Sequence, residues 1–70
     1  MDNRITELRR RLDLSQEDLA RRTGVSRQTI NALERGRYEP RLALAFRLAD
    51  ALSCSLDELF PRDAPTDDSA

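Results

Sequence analysis

The chain has 70 residues, a single cysteine, no histidine and a formal charge of −1, and all twelve of its basic residues are arginine. A chain of this length forms one domain with too little volume to enclose a cofactor or a deep catalytic pocket, and without histidine it lacks the usual catalytic pairs. Cys54 alone excludes a disulfide and a His- or Cys-based metal site, and no apolar run approaches the ~18 residues of a membrane span. We therefore expect a cytoplasmic protein that is not an enzyme and has no metal, cofactor, small-molecule ligand or membrane association.

The first predicted helix spans residues 1–12. Ile5, Leu8 and Leu12 recur at the i, i+3 and i+7 positions of one helical face, so they predict an apolar stripe facing the core. Asp13 then breaks the pattern, and its short polar side chain tolerates a left-handed turn at some cost. No segment has the alternation of a strand, so the sequence predicts an all-α fold.

Two capped helices follow, separated by a glycine. The sequence Ser15-Gln-Glu-Asp18 is a capping box, which predicts the start of a second helix that ends at about Thr23. Gly24 adopts a positive φ without steric cost, as a tight turn after a helix requires. Ser26 then caps a third predicted helix, from about residue 27 to residue 35.

The fourth predicted helix, residues 41–52, is apolar over most of its circumference. Such a helix lies in the core or offers a second face to a partner. Pro40 is compatible with the start of this helix, because the N–H that proline lacks would have no hydrogen-bond partner in the first turn. Ser55-Leu-Asp-Glu58 is a second capping box and predicts a short fifth helix ending near Phe60. Residues 61–70 hold two prolines, three aspartates and no large aliphatic side chain, so we expect a disordered acidic tail after a compact bundle of five short helices.

The second and third predicted helices have the spacing of a helix-turn-helix, over about residues 15–35. Ala20 lies four positions before Gly24, and its small side chain suits the point where two steeply crossing helices approach most closely. Short helix pairs with a glycine turn also occur as purely structural elements, so the spacing alone leaves the function open.

Four runs of the sequence resemble the Xre/Cro type of DNA-binding domain, found in phage repressors and small stand-alone bacterial regulators. They are LSQEDLA at 14–20, TGVSRQTIN at 23–31, LERGRYEP at 33–40 and ALSCSLDELF at 51–60. The resemblance covers roughly residues 3–60 and implies a lambda-repressor-like fold, with the helix-turn-helix domain spanning residues 1–60. Asp13 stands where relatives often have glycine or asparagine, and Ser53 stands where they usually have a glycine.

The resemblance implies that the third helix is a recognition helix whose N-terminal residues enter the major groove. The residues that it implies face the bases are Ser26, Arg27, Gln28, Asn31 and Ala32. Arg27 could pair with guanine and Gln28 with adenine, following the donors and acceptors that the major groove presents. Alternatively, Arg27 contacts a phosphate and Asn31 is a solvated or locally capping amide.

Contacts with the DNA backbone are implied for a second set of residues, namely Gln16, Thr29, Arg35, Arg37, Tyr38 and Arg41. Gln16 would bind a phosphate beside the exposed N–H groups that begin the second helix. Tyr38 could reach a phosphate with its hydroxyl or pack on the loop. Arg9 and Glu34 match a basic–acidic pair that ties the first helix to the third in this family, so we interpret both as structural.

The resemblance implies a sequence-specific transcriptional repressor that binds double-stranded DNA at an inverted-repeat operator, as a homodimer, in a bacterial nucleoid or on phage DNA. Its half-sites would lie about one helical turn, ~34 Å, apart. The candidate dimer residues are Leu44, Leu48, Leu56, Leu59 and Phe60, all of which could instead fill the small core. The alternative function is a protein-interaction module, such as an antitoxin or anti-repressor, with secondary DNA binding.

The charge is distributed unevenly along the chain. Residues 1–41 hold ten arginines and seven acids, a sum of +3, whereas residues 42–70 hold two arginines and six acids, a sum of −4. The planar guanidinium suits phosphate and base recognition, although a genome that prefers arginine codons would also explain the missing lysines. The acidic tail has no large apolar anchor for a protein partner, which favours DNA binding over the alternative.

Overall fold

The computed structural model describes residues 3–61, which form five α-helices and no strand. The helices are α1 (Ile5–Arg11), α2 (Gln16–Thr23), α3 (Arg27–Glu34), α4 (Leu42–Ala51) and α5 (Leu56–Leu59). The predicted all-α fold is therefore confirmed. Residues 1–2 and 62–70, which include the start of the predicted first helix and nearly all of the predicted tail, lie outside the described residues. No helix within 3–61 is long and apolar enough to cross a membrane.

The helix α1 begins at Ile5, four residues later than predicted. Asn3 bridges two helices, because its Oδ1 accepts from the N–H of Ile5 at 3.1 Å and its Nδ2 donates to the carbonyl of Leu33 at 2.7 Å. The N–H of Arg4 donates to the carbonyl of Leu59 at 2.9 Å. These bonds tie the segment before α1 to the ends of α3 and α5, so they hold it outside the helix.

The predicted apolar stripe of α1 is wrong at Leu12, which is 41% exposed, although the other two members of the stripe are buried. Asp13 has a φ of 58°, and its N–H and that of Leu14 bond back to carbonyls in the last turn of α1. The left-handed backbone at Asp13 interrupts the helical periodicity after α1. Leu14 therefore enters the core in place of Leu12.

Three helix ends share one geometry, in which a left-handed residue lets two successive N–H groups bond to carbonyls of the last turn. The left-handed residues are Asp13 after α1, Gly36 after α3 and Ser53 after α4, with φ of 58°, 71° and 54°. Gly24, with a φ of 78°, ends α2. The turns at Asp13 and Ser53 thus adopt a backbone that glycine adopts without steric cost, and a side chain there costs on the order of 1 kcal/mol.

The core forms where α2 packs against α3 and α4. Its most deeply buried side chains are Ile5, Leu19, Thr23, Ile30, Leu33, Leu48 and Leu59. Thr23 is the buried polar residue among them, and its hydroxyl donates to the carbonyl of Leu19 at 2.8 Å. Ile30 and Leu33 anchor α3 by one side, so its opposite side faces solvent.

The helix α4 has two apolar faces. Leu48 is fully buried and Leu44 nearly so, whereas Leu42 and Phe46 are 65% and 52% exposed. Of the other candidate dimer residues, Leu59 is fully buried, and Leu56 and Phe60 are half-buried against the core. Leu44, Leu48 and Leu59 therefore fill the core, the role that the sequence had left open. The sequence did not single out the exposed Leu42 and Phe46, because the pattern of α4 is apolar in nearly every direction.

Candidate nucleic-acid interface

The helix α2 begins at the predicted capping box. The hydroxyl of Ser15 accepts from the N–H of Asp18 at 2.9 Å, and the carboxylate of Asp18 accepts from the N–H of Ser15 at 3.0 Å. Hydrogen bonds to this carboxylate, from the backbone N–H and the side chain of Ser15 and from Arg21, hold the pKa of Asp18 below its usual value. The box fixes the first turn of α2 and makes Gln16 its first residue.

Gln16 is half-buried, and its amide nitrogen donates to Glu34 Oε1 at 3.0 Å. The sequence predicted a phosphate contact for Gln16 but did not predict this bond. The two residues are 18 positions apart, on different helices, and no local spacing signals their contact. Only the packing of α2 on α3 brings them together.

Glu34 also forms the ion pair with Arg9 that the family resemblance implied. Arg9 Nε donates to Glu34 Oε2 at 2.7 Å, and Arg9 Nη1 donates to the carbonyl of Leu14 at 2.8 Å. The two charged side chains are only 11% and 8% exposed. Burial opposes the ionisation of Glu34, but hydrogen bonds from Arg9, Gln16 and Thr6 outweigh it, so the pKa of Glu34 lies below its usual value. The last residue of α3 is therefore charged and fixed to both α1 and α2.

The helix α3 begins at Ser26, as predicted. The hydroxyl of Ser26 accepts from the N–H of Thr29 at 3.1 Å and shares a hydrogen bond with the hydroxyl of Thr29 at 3.0 Å. Ile30, on the next turn, is fully buried. The cap and the buried anchor together fix the N-terminal half of α3 and direct its other face outward.

This outward face carries the predicted base-contacting residues. Arg27 and Gln28 are exposed, and Asn31 and Ala32 lie half-exposed one turn later. Among residues 3–61, neither Arg27 nor Gln28 has a hydrogen-bond partner for its side chain, so both present their polar groups to solvent. Ser26 lies at the N-terminal end of the same face, and its hydroxyl accepts the capping hydrogen bond from the N–H of Thr29.

The loop between α3 and α4 borders that face. Gly36 bonds back to the carbonyl of Leu33 at 3.0 Å, and the N–H of Arg37 to the carbonyl of Ala32 at 3.0 Å, which closes the end of α3. An open depression of about 450 Å³ separates the loop from α3. It is lined by Ser26, Gln28, Thr29, Ala32, Arg37 and Tyr38. The depression joins predicted base-contacting and backbone-contacting residues in one continuous surface.

The arginines of the described residues fall into two groups. Arg4, Arg9, Arg11 and Arg21 pair with Glu7, Glu34 or Asp18. A second group is exposed and has no ion pair within residues 3–61, and it includes Arg27, Arg35, Arg37 and Arg41. These four lie on α3 or on the loop after it, where Glu39 is the single acid between residues 35 and 41. The surface formed by α3 and this loop is therefore rich in uncompensated positive charge, which attracts phosphate.

A known family shares this arrangement of helices. The sequence profile of the Helix-turn-helix family matches residues 5–59, which span all five helices. The chain belongs to this family. The helix-turn-helix protein is 45% identical over 60 residues to an HTH-type transcriptional regulator of Methanocaldococcus jannaschii, a match that covers 86% of this chain and 91% of the relative.

Solved structures resemble this helix-turn-helix protein along most of their length. The restriction-modification controller protein C.AhdI from Aeromonas hydrophila superposes with a TM-score of 0.76 at 40% identity, covering 81% of this chain and 86% of that one. The P22 c2 repressor in complex with a synthetic operator superposes with a TM-score of 0.75 at 37% identity, covering 77% and 82%. This helix-turn-helix protein is thus of the Xre/Cro type, a DNA-binding transcriptional regulator and not an enzyme.

Proposed function

We propose that this helix-turn-helix protein is a sequence-specific repressor that binds an inverted-repeat operator as a homodimer. The observation that carries the proposal is the exposed face of α3, where Arg27 and Gln28 present donors and acceptors beside an arginine-rich loop. An α-helix fits the major groove of B-DNA, in which each base pair presents a distinct pattern of polar groups. The P22 c2 repressor, a structural relative, is described in complex with an operator.

In the proposed complex, residues on the first two turns of α3 read the bases. Arg27 pairs with guanine and Gln28 with adenine, because their forked polar groups match the O6/N7 and N6/N7 edges. Asn31 and Ala32 complete the face, and Ala32 offers a methyl group for contact with thymine. Ser26 contributes mainly by capping α3, since its hydroxyl already bonds to Thr29.

The backbone contacts come from the elements that flank α3. Gln16 binds a phosphate at the start of α2, beside N–H groups that carry the positive end of the helix dipole. Thr29 adds a contact beside the first turn of α3. Arg35, Arg37 and Arg41 neutralise phosphates along the loop, and the exposed hydroxyl of Tyr38 lies on the same surface. Contacts of this kind position the protein without reading sequence.

The accessible apolar side chains supply the dimer contacts in this proposal. Leu42 and Phe46 project from α4, one helical turn apart. Leu42 also lines a shallow depression of about 300 Å³, together with Pro40, Ala45, Leu56, Asp57 and Phe60. A second copy that covers this surface removes it from water, which favours association. Leu44, Leu48 and Leu59 are buried in the core, so they are not available to a second copy.

Selection of binding sites from random duplex DNA tests the proposed function. We expect enrichment of a symmetric motif whose half-sites are centred about 10 base pairs apart. A motif with no symmetry would contradict the homodimer, and no enrichment at moderate salt would favour the protein-interaction module. Placing the selected motif across a promoter then tests repression, since the regulator should lower transcription of a reporter gene and leave a scrambled site unaffected.

Sedimentation with operator-length duplex tests the dimer separately. We expect two chains per palindromic duplex, and we expect Phe46→Ser to reduce that stoichiometry or to require a higher protein concentration. Leu12→Ser is the matched control, because Leu12 is also an exposed apolar residue but lies at the end of α1. A complex of one chain on a palindrome, or equal effects of both substitutions, would contradict the proposed surface.

A further inference from the structure

We propose that Glu34 is a positioning residue for a DNA backbone contact and acts through the side chain of Gln16. The inference rests on the proposed function, in which Gln16 binds a phosphate. The amide nitrogen of Gln16 carries two hydrogens. Glu34 Oε1 accepts one of them at 3.0 Å, which leaves the second for a phosphate oxygen. A single amide group then bridges the protein interior and the DNA.

Glu34 is suited to hold Gln16 because it is itself immobile. Its carboxylate accepts hydrogen bonds from Arg9 Nε at 2.7 Å and from Arg9 Nη2 at 3.4 Å, and its side chain is only 8% exposed. A flexible glutamine loses rotamer freedom when it contacts DNA, whereas a glutamine that is already bonded has lost it on folding. The pre-ordered Gln16 therefore binds phosphate at a lower entropic cost.

The charge of Arg9 makes this arrangement compatible with DNA. A lone carboxylate behind the phosphate contact would repel the DNA backbone. Arg9 compensates that charge across a 2.7 Å contact, so Glu34 orients the amide with little net negative charge. Arg9 also donates to the carbonyl of Leu14, next to the cap of α2, which fixes the start of α2 to the same cluster.

The bond between Gln16 and Glu34 also sets the spacing of two phosphate-binding elements. Gln16 is the first residue of α2, and Glu34 is the last residue of α3, directly before the loop that carries Arg35 and Arg37. A direct link between these elements fixes the distance between contacts on the DNA backbone. Loss of the link should therefore weaken binding to all sequences equally, because phosphate contacts position the protein but do not read bases.

A double-mutant cycle tests the proposal with Gln16→Ala, Glu34→Gln, the double variant and Glu7→Gln as control. Glu7→Gln removes the same charge from an exposed ion pair on α1. Removal of an acid should strengthen DNA binding on electrostatic grounds alone. We expect Glu34→Gln instead to weaken binding about threefold to tenfold, the range of one lost hydrogen bond, and to add no further loss in the Gln16→Ala background.

The cycle has results that would overturn the proposal. Equal weakening by Glu34→Gln with and without Gln16 would show a merely structural role, and strengthening in both backgrounds would show simple charge repulsion. An unchanged affinity of the Gln16→Ala variant for DNA would show that Gln16 does not contact a phosphate. All affinities are compared at a temperature where circular dichroism shows each variant folded. These results can be distinguished from a failure of the proposed function. In that case the unsubstituted protein itself would show no sequence-specific DNA binding.

Side-chain amide NMR of the unsubstituted protein gives a readout that does not depend on the stability of any variant. We expect the two Nε2 protons of Gln16 to respond separately, one being shifted already in the free protein and the other moving when operator duplex is added. If the operator shifts neither proton, or if the proton bonded to Glu34 returns to the position of a solvated amide, the bridging role is excluded.

Discussion

The cluster around Glu34 and the loop between α3 and α4 use arginine in opposite ways. Arg9 is 11% exposed and divides its donors between a carboxylate and a backbone carbonyl. Arg37 is exposed, has no ion pair within residues 3–61 and borders an open depression beside α3. The charge of Arg9, which Glu34 neutralises, fixes α1 to α3, whereas the uncompensated charge of Arg37 is available to phosphates.

The largest effect on stability is expected from the loss of Arg9. Arg9→Ala leaves the carboxylate of Glu34 poorly compensated between α1 and α3, and we expect a loss of about 3 kcal/mol in the free energy of unfolding, the low end for breaking a buried pair. Chemical denaturation monitored by circular dichroism measures this loss. Arg10→Ala is the control, because Arg10 is exposed and has no ion pair within the described residues. Similar losses for Arg9→Ala and Arg10→Ala would show that the ion pair of Arg9 with Glu34 does not contribute to stability.

Substitution of the exposed Arg27 should change the affinity for DNA but not the free energy of unfolding. We expect Arg27→Ala to cost about 1–3 kcal/mol in binding free energy and to relax the preference at one base pair. Stability should not change, because the side chain of Arg27 makes no hydrogen bond within residues 3–61. Titration of a fluorescent operator and of variants changed at single positions measures both effects. Gln28→Ala should relax the preference at a different position. Equal weakening on every sequence would show that Arg27 contacts a phosphate.

Loss of Arg37 should change the salt dependence of DNA binding. We expect Arg37→Ala to weaken binding to all sequences alike and to reduce the slope of log K against log salt by about 0.9, the value for one phosphate contact. Gln16→Ala, which removes a neutral contact, should leave the slope unchanged. The measurement is a titration at four or more salt concentrations, and an unchanged slope for Arg37→Ala would remove Arg37 from the backbone contacts.

A smaller effect is expected at two left-handed turns that lie outside both regions, those at Ser53 and Gly24. Ser53→Gly should raise the free energy of unfolding by about 1 kcal/mol, because it relieves the cost of a side chain at a φ of 54°. Gly24→Ala should lower it by a similar amount at a φ of 78°. A Cβ there would meet only the end of Arg47, at 3.9 Å, so backbone conformation and not crowding sets this cost. Thermal unfolding of both variants tests whether Ser53→Gly raises the stability and Gly24→Ala lowers it.

The smallest predicted effect is on the pH dependence of stability. The pKa of Glu34 is lowered in the folded protein, so its ionisation adds stability that is fully present above its unfolded pKa of ~4.3. That stability is lost as the pH falls through the lower folded pKa, because the unfolded chain then binds more protons. Glu34→Gln should therefore flatten the fall in unfolding free energy below about pH 4.5. A slope as steep as that of the unsubstituted protein would contradict this assignment.

Several features of the fold follow from local sequence alone. The starts of α2, α3 and α5 are correctly predicted, because Ser15, Ser26 and Ser55 cap them with hydrogen bonds that span three residues. The start of α1 is not, because it depends on the bonds of Asn3 and Arg4 to residues of α3 and α5 that are distant in the chain. Capping is a local interaction, whereas the entry into α1 is a tertiary one.

The candidate interface shows the same division. The periodicity of Ile30 and Leu33 indicates which side of α3 is buried, and the opposite side then carries Arg27 and Gln28. The bond from Gln16 to Glu34 joins residues that no sequence spacing relates. The exposure of Phe46 likewise depends on which face of α4 meets the core, because a helix that is apolar nearly all round does not specify that face.

The all-α class, the capped helix-turn-helix and its family can be predicted from the amino-acid sequence, because these depend on residue types at short, fixed spacings. The sequence also showed that the overall charge of −1 conceals a basic front half. The fold was needed to show that Glu34 neutralises Arg9, because these residues lie 25 positions apart and meet only through packing. The pairs of Arg4, Arg11 and Arg21 join acids only three or four positions away along the chain. The charge available to DNA therefore depends on local spacing as well as on the fold.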